Sequence, residues 1–152
     1  KLILAGKFMP ESLAQEATAL PGWDRVEFCG WQDREGVARL LSRARIGLVL
    51  LHTDPTYLES YPVKLFEYMA AGVPILAADF PLWRKIIETA HCGLVVNPEN
   101  SRAIACAMEW LLEHPEEAEK LGKCGQIAVA EHYNWDNEAK KLLEFYQRFA
   151  KK

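Results

Sequence analysis

Two glutamates, Glu59 and Glu67, lie on either side of Pro62, where a helix is expected to begin. Glu67 is five residues beyond this proline, about 7.5 Å along a helix axis, and helical side chains lean back toward the N-terminus. A carboxylate in that position suits two vicinal hydroxyl groups, such as those of a ribose, because both donate charge-assisted hydrogen bonds to it. Glu59 precedes the helix and could accept hydrogen bonds from further hydroxyl groups. The two residues therefore predict a site for a polyhydroxylated ligand.

The helix start between the two glutamates is suited to an anion. It follows an apolar strand that ends at Leu51, and ligands of open parallel sheets bind at the carboxyl ends of the strands. Unpaired amides and the helix dipole make such a start attractive to a diphosphate. The alternative is that both glutamates are solvated surface acids, which are also favoured near a helix start.

The elements that must position this segment alternate along the chain. Short apolar runs of strand length are followed by longer segments with helical periodicity, which is typical of a parallel sheet with helices on both faces. The apolar runs are residues 2–5, 26–29, 46–51, 74–78 and 94–96. The predicted helices are residues 11–20, 34–44, 62–71, 81–89 and 101–113. The fold class is therefore α/β and Rossmann-like.

The pattern changes after His114, because Pro115 opens a charged helical stretch that no strand follows. A last segment, residues 135–149, carries one apolar stripe at spacings of three and four, which must pack against something. A length of 152 residues suits one hydrophobic core. We expect a single domain over residues 1–152, with an α/β core at 1–114 and a helical tail at 115–152.

Composition excludes several classes of function. The net charge of −3 argues against nucleic acid as a partner. The apolar runs are too short to span a bilayer, and the first residues lack the pattern of a secretion signal. Four cysteines and four histidines lack the spacing of metal ligands, so we expect free thiols, no metal and no other cofactor. A receiver-like regulatory domain is excluded because no acidic cluster follows the first strand.

The segment resembles a known enzyme family. Glu59, seven intervening residues and Glu67, followed by AAGVPIL, resemble the Glu-x7-Glu signature of family 4 (group 1) retaining glycosyltransferases. The pieces VEFCGW, ARLLSRARIGLVLL and CGLVVNPEN occur in the order of that family's C-terminal domain. The resemblance covers most of the chain and implies the donor-binding half of a GT-B fold.

The resemblance also assigns roles to residues. It implies a nucleotide-diphosphate-sugar donor, with Glu67 on the ribose and Glu59 as the candidate catalytic residue beside the donor sugar. The diphosphate would meet the start of the helix, and a second loop would lie beside the nucleotide base, where Trp31 could stack. The residues at the helix start are Ser60, Tyr61, Pro62, Val63 and Lys64, and those of the base loop are Gly30, Trp31 and Gln32.

The chain departs from the family pattern at two points. The family more often has glycine at the position of Pro62 and proline at that of Lys64, which we expect to face outward and either to contact phosphate or to be solvated. The family's domain also begins one strand earlier, with a loop that carries basic residues. Without that central strand the sheet must close over a gap, pair its second-neighbour strands or borrow a strand, so a dimer is one expectation.

The resemblance implies a partner domain that binds a glycan or lipid-linked acceptor, so we do not expect this chain to catalyse transfer alone. Cell-surface polysaccharide biosynthesis in the cytoplasm, with peripheral binding to the inner membrane face, is typical of the family. A nucleotide-sugar epimerase and a non-catalytic association module are the alternatives. His52 and Asp54 could line the cleft, and Arg84 and Lys85 could approach the donor, although a solvated helix start is preferred for the latter pair. Trp23, Trp83, Trp110 and Trp135 are interpreted as packing residues.

Overall fold

The computed structural model describes residues 1–150. The chain divides into two compact units, Lys1–Ala44 and Arg45–Lys152, and each is described by itself. The expectation of one domain over residues 1–152 is not decided by this division and stays a prediction.

The first unit is a pair of parallel strands with short helices. It contains β1 (Leu2–Ala5), α1 (Ser12–Thr18), a 3-10 turn at Trp23–Arg25, β2 (Val26–Gly30) and α2 (Arg34–Leu41). β1 pairs with β2 from Leu2 opposite Val26 to Ala5 opposite Gly30, with a register shift before the last pair. The Asp33 side chain caps α2 by accepting a 2.7 Å hydrogen bond from the Gly36 amide. Strand and helix starts agree with the sequence to within one residue.

Aromatic rings hold the first unit together. Phe8 lies 6.2 Å from Trp23 and 5.1 Å from Phe28, measured between ring centroids. Of residues 1–44, Gly36 alone is buried, so this unit lacks a fully enclosed core and relies on half-covered rings. The interpretation of Trp23 as a packing residue agrees with these contacts.

The second unit contains a three-stranded parallel sheet in the order β3-β4-β5. Its elements are β3 (Gly47–Val49), α3 (Pro55–Leu58), α4 (Val63–Ala71), β4 (Ile75–Ala78), α5 (Pro81–Ala90), β5 (Gly93–Val96), α6 (Ser101–Glu113), α7 (Pro115–Glu131) and α8 (Trp135–Ala150). Within residues 1–150, β3 pairs with β4 and β4 with β5, all in parallel. How the sheet accommodates the missing strand stays a prediction.

The central strand β4 is buried along its whole length, and its side chains from Ile75 to Ala77 alternate between two hydrophobic clusters. Ile75 and Ala77 belong to a cluster with residues of α4, α5 and α7, whereas Leu76 belongs to a second cluster with Leu111 of α6. Alternation at period two places these clusters on opposite faces of the sheet. The predicted α/β class, a parallel sheet covered by helices on both faces, is therefore confirmed.

Helix α7 packs closely on the end of α4. A Cβ atom added to Gly122 would lie 2.0 Å from the carbonyl oxygen of Gly72, and one added to Gly125 would lie 3.3 Å from the Cα of Met69. Gly72 itself ends α4 at a φ of 70°, a conformation that glycine adopts without strain. Small residues on α7 thus let the two backbones meet, which fixes the position of α4.

The helical tail consists of two helices, α7 and α8, as predicted. The apolar stripe of α8 is exposed within the described part of the chain, so the expectation that it packs against something stays a prediction. The exposed side chains are Trp135, Leu142, Phe145, Tyr146 and Phe149. Trp135 is therefore not a packing residue in this structure. No helix among residues 1–150 is long and apolar enough to cross a membrane.

We predict that Gly122→Ala destabilises the chain by about 2 kcal/mol, because the new methyl group meets a backbone oxygen that cannot move without displacing α4. Chemical denaturation monitored by circular dichroism measures this change. Gly125→Ala is the matched control, because a Cβ atom there would lie 3.2–3.5 Å from its nearest neighbours instead of overlapping them. It should therefore lower the free energy of unfolding by less than Gly122→Ala does. Alanine in an unhindered helix stabilises relative to glycine by roughly 1 kcal/mol. A stabilised Gly122→Ala variant would contradict the close helix packing.

Candidate functional site

The loops at the carboxyl ends of β3, β4 and β5 carry the acidic residues of the candidate site. Because parallel strands end at one edge of a sheet, these loops share that edge. The loop after β3 leads to Glu59 and α4, the loop after β4 carries Asp79, and the loop after β5 carries Glu99. The edge that the sequence predicted as functional is thus acidic, with Glu59 and Glu99 exposed and Asp79 partly covered.

A short helix that the sequence did not predict places Glu59. α3 begins where the Asp54 side chain accepts a 2.8 Å hydrogen bond from the amide of Thr56. Hydrogen bonds from Thr56 lower the pKa of Asp54. Glu59 is the residue that ends this helix, at φ −106° and ψ 3°, and it is exposed. Asp54 therefore caps α3, and the exposed Glu59 ends it.

The start of α4 offers unpaired amides. Pro62 precedes the first helical residue in an extended conformation, φ −72° and ψ 121°, with no side-chain cap, so the predicted start at Pro62 shifts by one residue. The Leu65 amide donates to the Pro62 carbonyl at 3.0 Å. Three further backbone amides have no hydrogen-bond acceptor within residues 1–150, namely those of Tyr61, Val63 and Lys64. The helix dipole adds partial positive charge here, so the arrangement can bind an anion.

Trp83 holds the loop before α4 in place. Its indole nitrogen donates a 2.7 Å hydrogen bond to the carbonyl oxygen of Ser60, and its side chain is 0 % exposed. The sequence interpretation of Trp83 as a packing residue describes the ring correctly but missed this bond. No sequence signal pointed to it, because the contact joins residues on two different crossover units.

Glu67 is exposed on α4 beyond the free amides. Its neighbour Tyr68 packs on β3, since a Cβ atom at Gly47 would overlap the Tyr68 ring. Burial raises the pKa of Tyr68, and the negative charge of Glu67 raises it further by a smaller amount. Met69 is fully buried in the core cluster of the second unit, and Phe66 packs against that cluster. Glu67 thus sits on a helix fixed by its inner face.

Lys64 differs from its expected position. The sequence predicted that it faces outward, but the residue is partly covered and burial lowers the pKa of its amine. The first turn of α4, which begins at Val63, places Lys64 where protein atoms cover part of it. A partly desolvated ammonium group interacts more strongly with a nearby anion than a fully hydrated one does.

The loop after β5 contains a contact that the sequence did not predict. Glu99 accepts a 3.0 Å hydrogen bond from Nδ1 of His52 and a 3.3 Å bond from the amide of Thr53. Both bonds lower the pKa of Glu99, and the bond from His52 has the larger effect. The sequence signal for this contact is the position of Glu99, an acidic residue just beyond the carboxyl end of β5. The contact links the loops after β3 and β5.

The loop after β4 is closed by an ion pair. Arg84 donates to both oxygens of Asp79, with its Nε 2.7 Å from Oδ1, and also to Glu88 at 3.1 Å. Its guanidinium is therefore engaged within its own helix and loop, in agreement with the preference against a ligand contact. Lys85 is exposed on the same turn.

The candidate base loop belongs to the first unit. Gly30 ends β2 at a φ of 63°, which favours glycine. Trp31 follows with 66 % of its surface exposed, and the Gln32 side chain donates to the carbonyl of Cys29 at 2.5 Å. Trp31 thus presents a free ring, whereas the Gln32 amide nitrogen is used to close the turn. Within residues 1–150 no three His, Cys, Asp or Glu side chains gather as metal ligands would.

These observations define a Rossmann-like α/β protein with carboxylates and free amides at the carboxyl edge of a parallel sheet. The chain belongs to the group 1 glycosyltransferases, because the family model described as "Glycosyl transferases group 1" matches residues 1–127. The fold fits the C-terminal domain of the GT-B architecture.

Relatives and solved structures agree with this membership. The phosphatidyl-myo-inositol mannosyltransferase of Mycobacterium leprae is 28 % identical over 151 residues, 99 % of this chain and 38 % of the relative. A sucrose-phosphate synthase from Thermosynechococcus elongatus superposes with a TM-score of 0.80 at 31 % identity, covering 99 % of this chain and 39 % of that one. Anabaena HepE in complex with UDP-glucose superposes at 0.81 with 18 % identity, covering 96 % and 40 %, which shows a shared fold. The chain spans about two fifths of these proteins.

The contact between His52 and Glu99 predicts a titration shift. His52→Ala removes the largest cause of the lowered pKa of Glu99, so that pKa should rise toward its ordinary value of 4.5, while the bond from Thr53 keeps it somewhat below. A pH titration of side-chain carboxyl carbons by NMR measures the change. Glu119, whose pKa is lowered by Lys123, is the internal control and should not move. An unchanged Glu99 would mean that the two side chains do not interact in solution.

Proposed function

We propose that this chain is the donor-binding part of a retaining glycosyltransferase that uses a nucleoside diphosphate sugar. The observation that carries the proposal is the arrangement at the start of α4, where unpaired amides lie between two exposed carboxylates, Glu59 and Glu67. Family membership supports the same conclusion. So does Anabaena HepE, a protein of the same fold whose crystal structure is a complex with UDP-glucose.

In this proposal the diphosphate binds to residues 60–64, which we call the diphosphate loop. The amides of Tyr61, Val63 and Lys64 would donate to phosphate oxygens, and the helix dipole favours the negative charge. The Lys64 amine adds a positive charge whose interaction is strengthened by partial burial. An approaching diphosphate would in turn favour the charged form of that amine. These groups supply the positive charge, and no metal ion or other cofactor is part of the proposal.

Glu67 would hold the ribose. It lies four residues beyond the first helical residue Val63, about 6 Å along the helix axis, which separates a ribose from a diphosphate at the helix start. Its carboxylate is exposed and can accept hydrogen bonds from two vicinal hydroxyls. Gly30, Trp31 and Gln32 form the proposed base loop, with the exposed ring of Trp31 available for stacking.

Glu59 would contact the donor sugar on the other side of the diphosphate. It is fixed by the end of α3 and is followed directly by the diphosphate loop, so a sugar on the second phosphate comes within its reach. A carboxylate that binds sugar hydroxyls orients the anomeric carbon for transfer, which is a positioning contribution to the rate.

The acceptor, the linkage and the cellular setting belong to the proposal as well. A mannosyltransferase named for phosphatidyl-myo-inositol and a D-rhamnosyltransferase are among the relatives, which supports glycan assembly on a lipid-linked or polysaccharide acceptor. We propose that a further domain binds this acceptor, that transfer requires both domains, and that the enzyme acts in the cytoplasm at the inner membrane face. A dimer of the chain stays a prediction.

Glu67→Ala tests the ribose contact. We expect the chain to bind one of uridine, guanosine or adenosine diphosphate in a calorimetric titration, and the variant to bind it at least about tenfold more weakly, because two charge-assisted hydrogen bonds are lost. Glu109→Ala removes an exposed acid on α6 and is the control for the change in net charge. Equal binding by both variants would reject the assigned role of Glu67. If the wild-type chain binds none of the three, a non-catalytic association module becomes the better interpretation.

Glu59→Gln tests the sugar contact separately. The amide keeps the size of the side chain but removes its charge, so the variant should bind the nucleoside diphosphate as the wild type does. Its affinity for the corresponding diphosphate sugar should fall by about tenfold, the loss expected for a hydrogen bond to a charged group. Parallel titrations of diphosphate and diphosphate sugar measure the ratio. A ratio unchanged from wild type would exclude Glu59 from the sugar site.

A further inference from the structure

We propose that Trp83 is a positioning residue for the diphosphate loop, an inference that rests on the proposed function. Its indole nitrogen donates a 2.7 Å hydrogen bond to the carbonyl oxygen of Ser60, the first residue of that loop. Ser60 stands between Glu59 and the unpaired amides of Tyr61 and Val63. A single bond at this carbonyl therefore fixes the backbone that carries both the proposed sugar contact and the phosphate donors.

The direction of the bond decides where the next amide points. In a planar trans peptide the carbonyl of one residue and the N–H of the following residue point in opposite directions. The carbonyl of Ser60 points to the buried indole of Trp83, so the N–H of Tyr61 points away from it. This N–H has no acceptor within the described residues, and 59 % of the Tyr61 surface is exposed. Trp83 thus turns the Tyr61 donor outward to the side from which a diphosphate arrives.

Trp83 is a rigid anchor for this purpose. Its ring is fully buried, lies 4.7 Å from the ring of Phe80, and belongs to the cluster that covers β4. The indole N–H is the one polar group of that side chain, and burying it without an acceptor is unfavourable. Any loop conformation that turns the Ser60 carbonyl away leaves this donor unpaired. The packed core therefore favours the one conformation of this exposed loop that keeps the Trp83 donor paired.

Trp83→Phe removes the donor and retains an aromatic ring in the core. We expect affinity for the nucleoside diphosphate to fall by about tenfold, because phosphate donors that are no longer held must be ordered on binding. Affinity for the parent nucleoside, measured by NMR titration, should be unchanged, since Glu67 and α4 are not held by this bond. Phe80→Leu disturbs the same packing but keeps the hydrogen bond, so it should leave the ratio of the two affinities as in wild type.

The wild-type chain supplies a second measurement that does not depend on the folding of the variant. The five indole N–H signals are assigned by replacing the other tryptophans, Trp23, Trp31, Trp110 and Trp135, with phenylalanine. Uridine, guanosine and adenosine diphosphates are then added, each beside its nucleoside. Hydrogen exchange of the Trp83 signal should slow with the diphosphate that binds and not with its nucleoside, because the bound loop opens less often.

The outcomes separate the two proposals. The positioning role is wrong if Trp83→Phe and Phe80→Leu weaken diphosphate binding equally. It is also wrong if bound diphosphate does not change the hydrogen-exchange rate of the Trp83 indole. Either result leaves the proposed function intact. A wild-type chain that binds no diphosphate rejects the proposed function, and the positioning role fails with it. A loss confined to Trp83→Phe and to the diphosphate supports both.

Discussion

The contact between the backbones of α4 and α7 fixes most of the second unit. Gly122 lets α7 reach the carbonyl of Gly72 at the end of α4, and Gly125 lets it reach Met69 one turn earlier. The inner face of α4 is fixed as well, because Tyr68 packs over Gly47 of β3. A helix of nine residues held at one end and along one face cannot tilt freely. Its other end, where the unpaired amides lie, is thereby positioned from a distance of about 13 Å.

Polar contacts then order the loops that packing leaves exposed. Trp83 holds the Ser60 carbonyl, and the next residue, Arg84, holds Asp79 in the loop before α5. His52 bonds to Glu99 and so links two loops. Exposed pairs of this kind contribute little to stability in water. Their effect is to limit the number of loop conformations, which lowers the entropic cost of ordering the loops around a ligand. The indole bond differs from the others because its donor is buried.

Much of the fold follows from local patterns in the sequence. β1, β4 and β5 are short apolar runs between turn residues, and α6 is predicted to the residue because Asn100 caps its start and His114 with Pro115 ends it. β3 is shorter than its apolar run, since that run continues past the last paired residue Val49. Helix α3 has only four residues, too few for a periodic signal.

In the candidate site, too, some features follow from local sequence and others depend on the tertiary fold. Glu59 and Glu67 were found by their spacing around a helix start, which is local information. The bond from Trp83 to Ser60, the pairing of His52 with Glu99 and the partial burial of Lys64 all depend on which elements the tertiary fold brings together. Residue types and periodicity do not encode such contacts, so the sequence could not supply them.

The glycines of α7 also bear on how the chain folds. Two glycines in the interior of one helix cost roughly 2 kcal/mol of intrinsic helix stability relative to alanine. α7 is therefore a weak helix in isolation, and its structure is secured by docking on α4, where the same glycines allow the close approach. We therefore expect α7 to become ordered as it docks on α4. The start of α4 thus acquires its final geometry only when a segment some fifty residues further along the chain has folded against it.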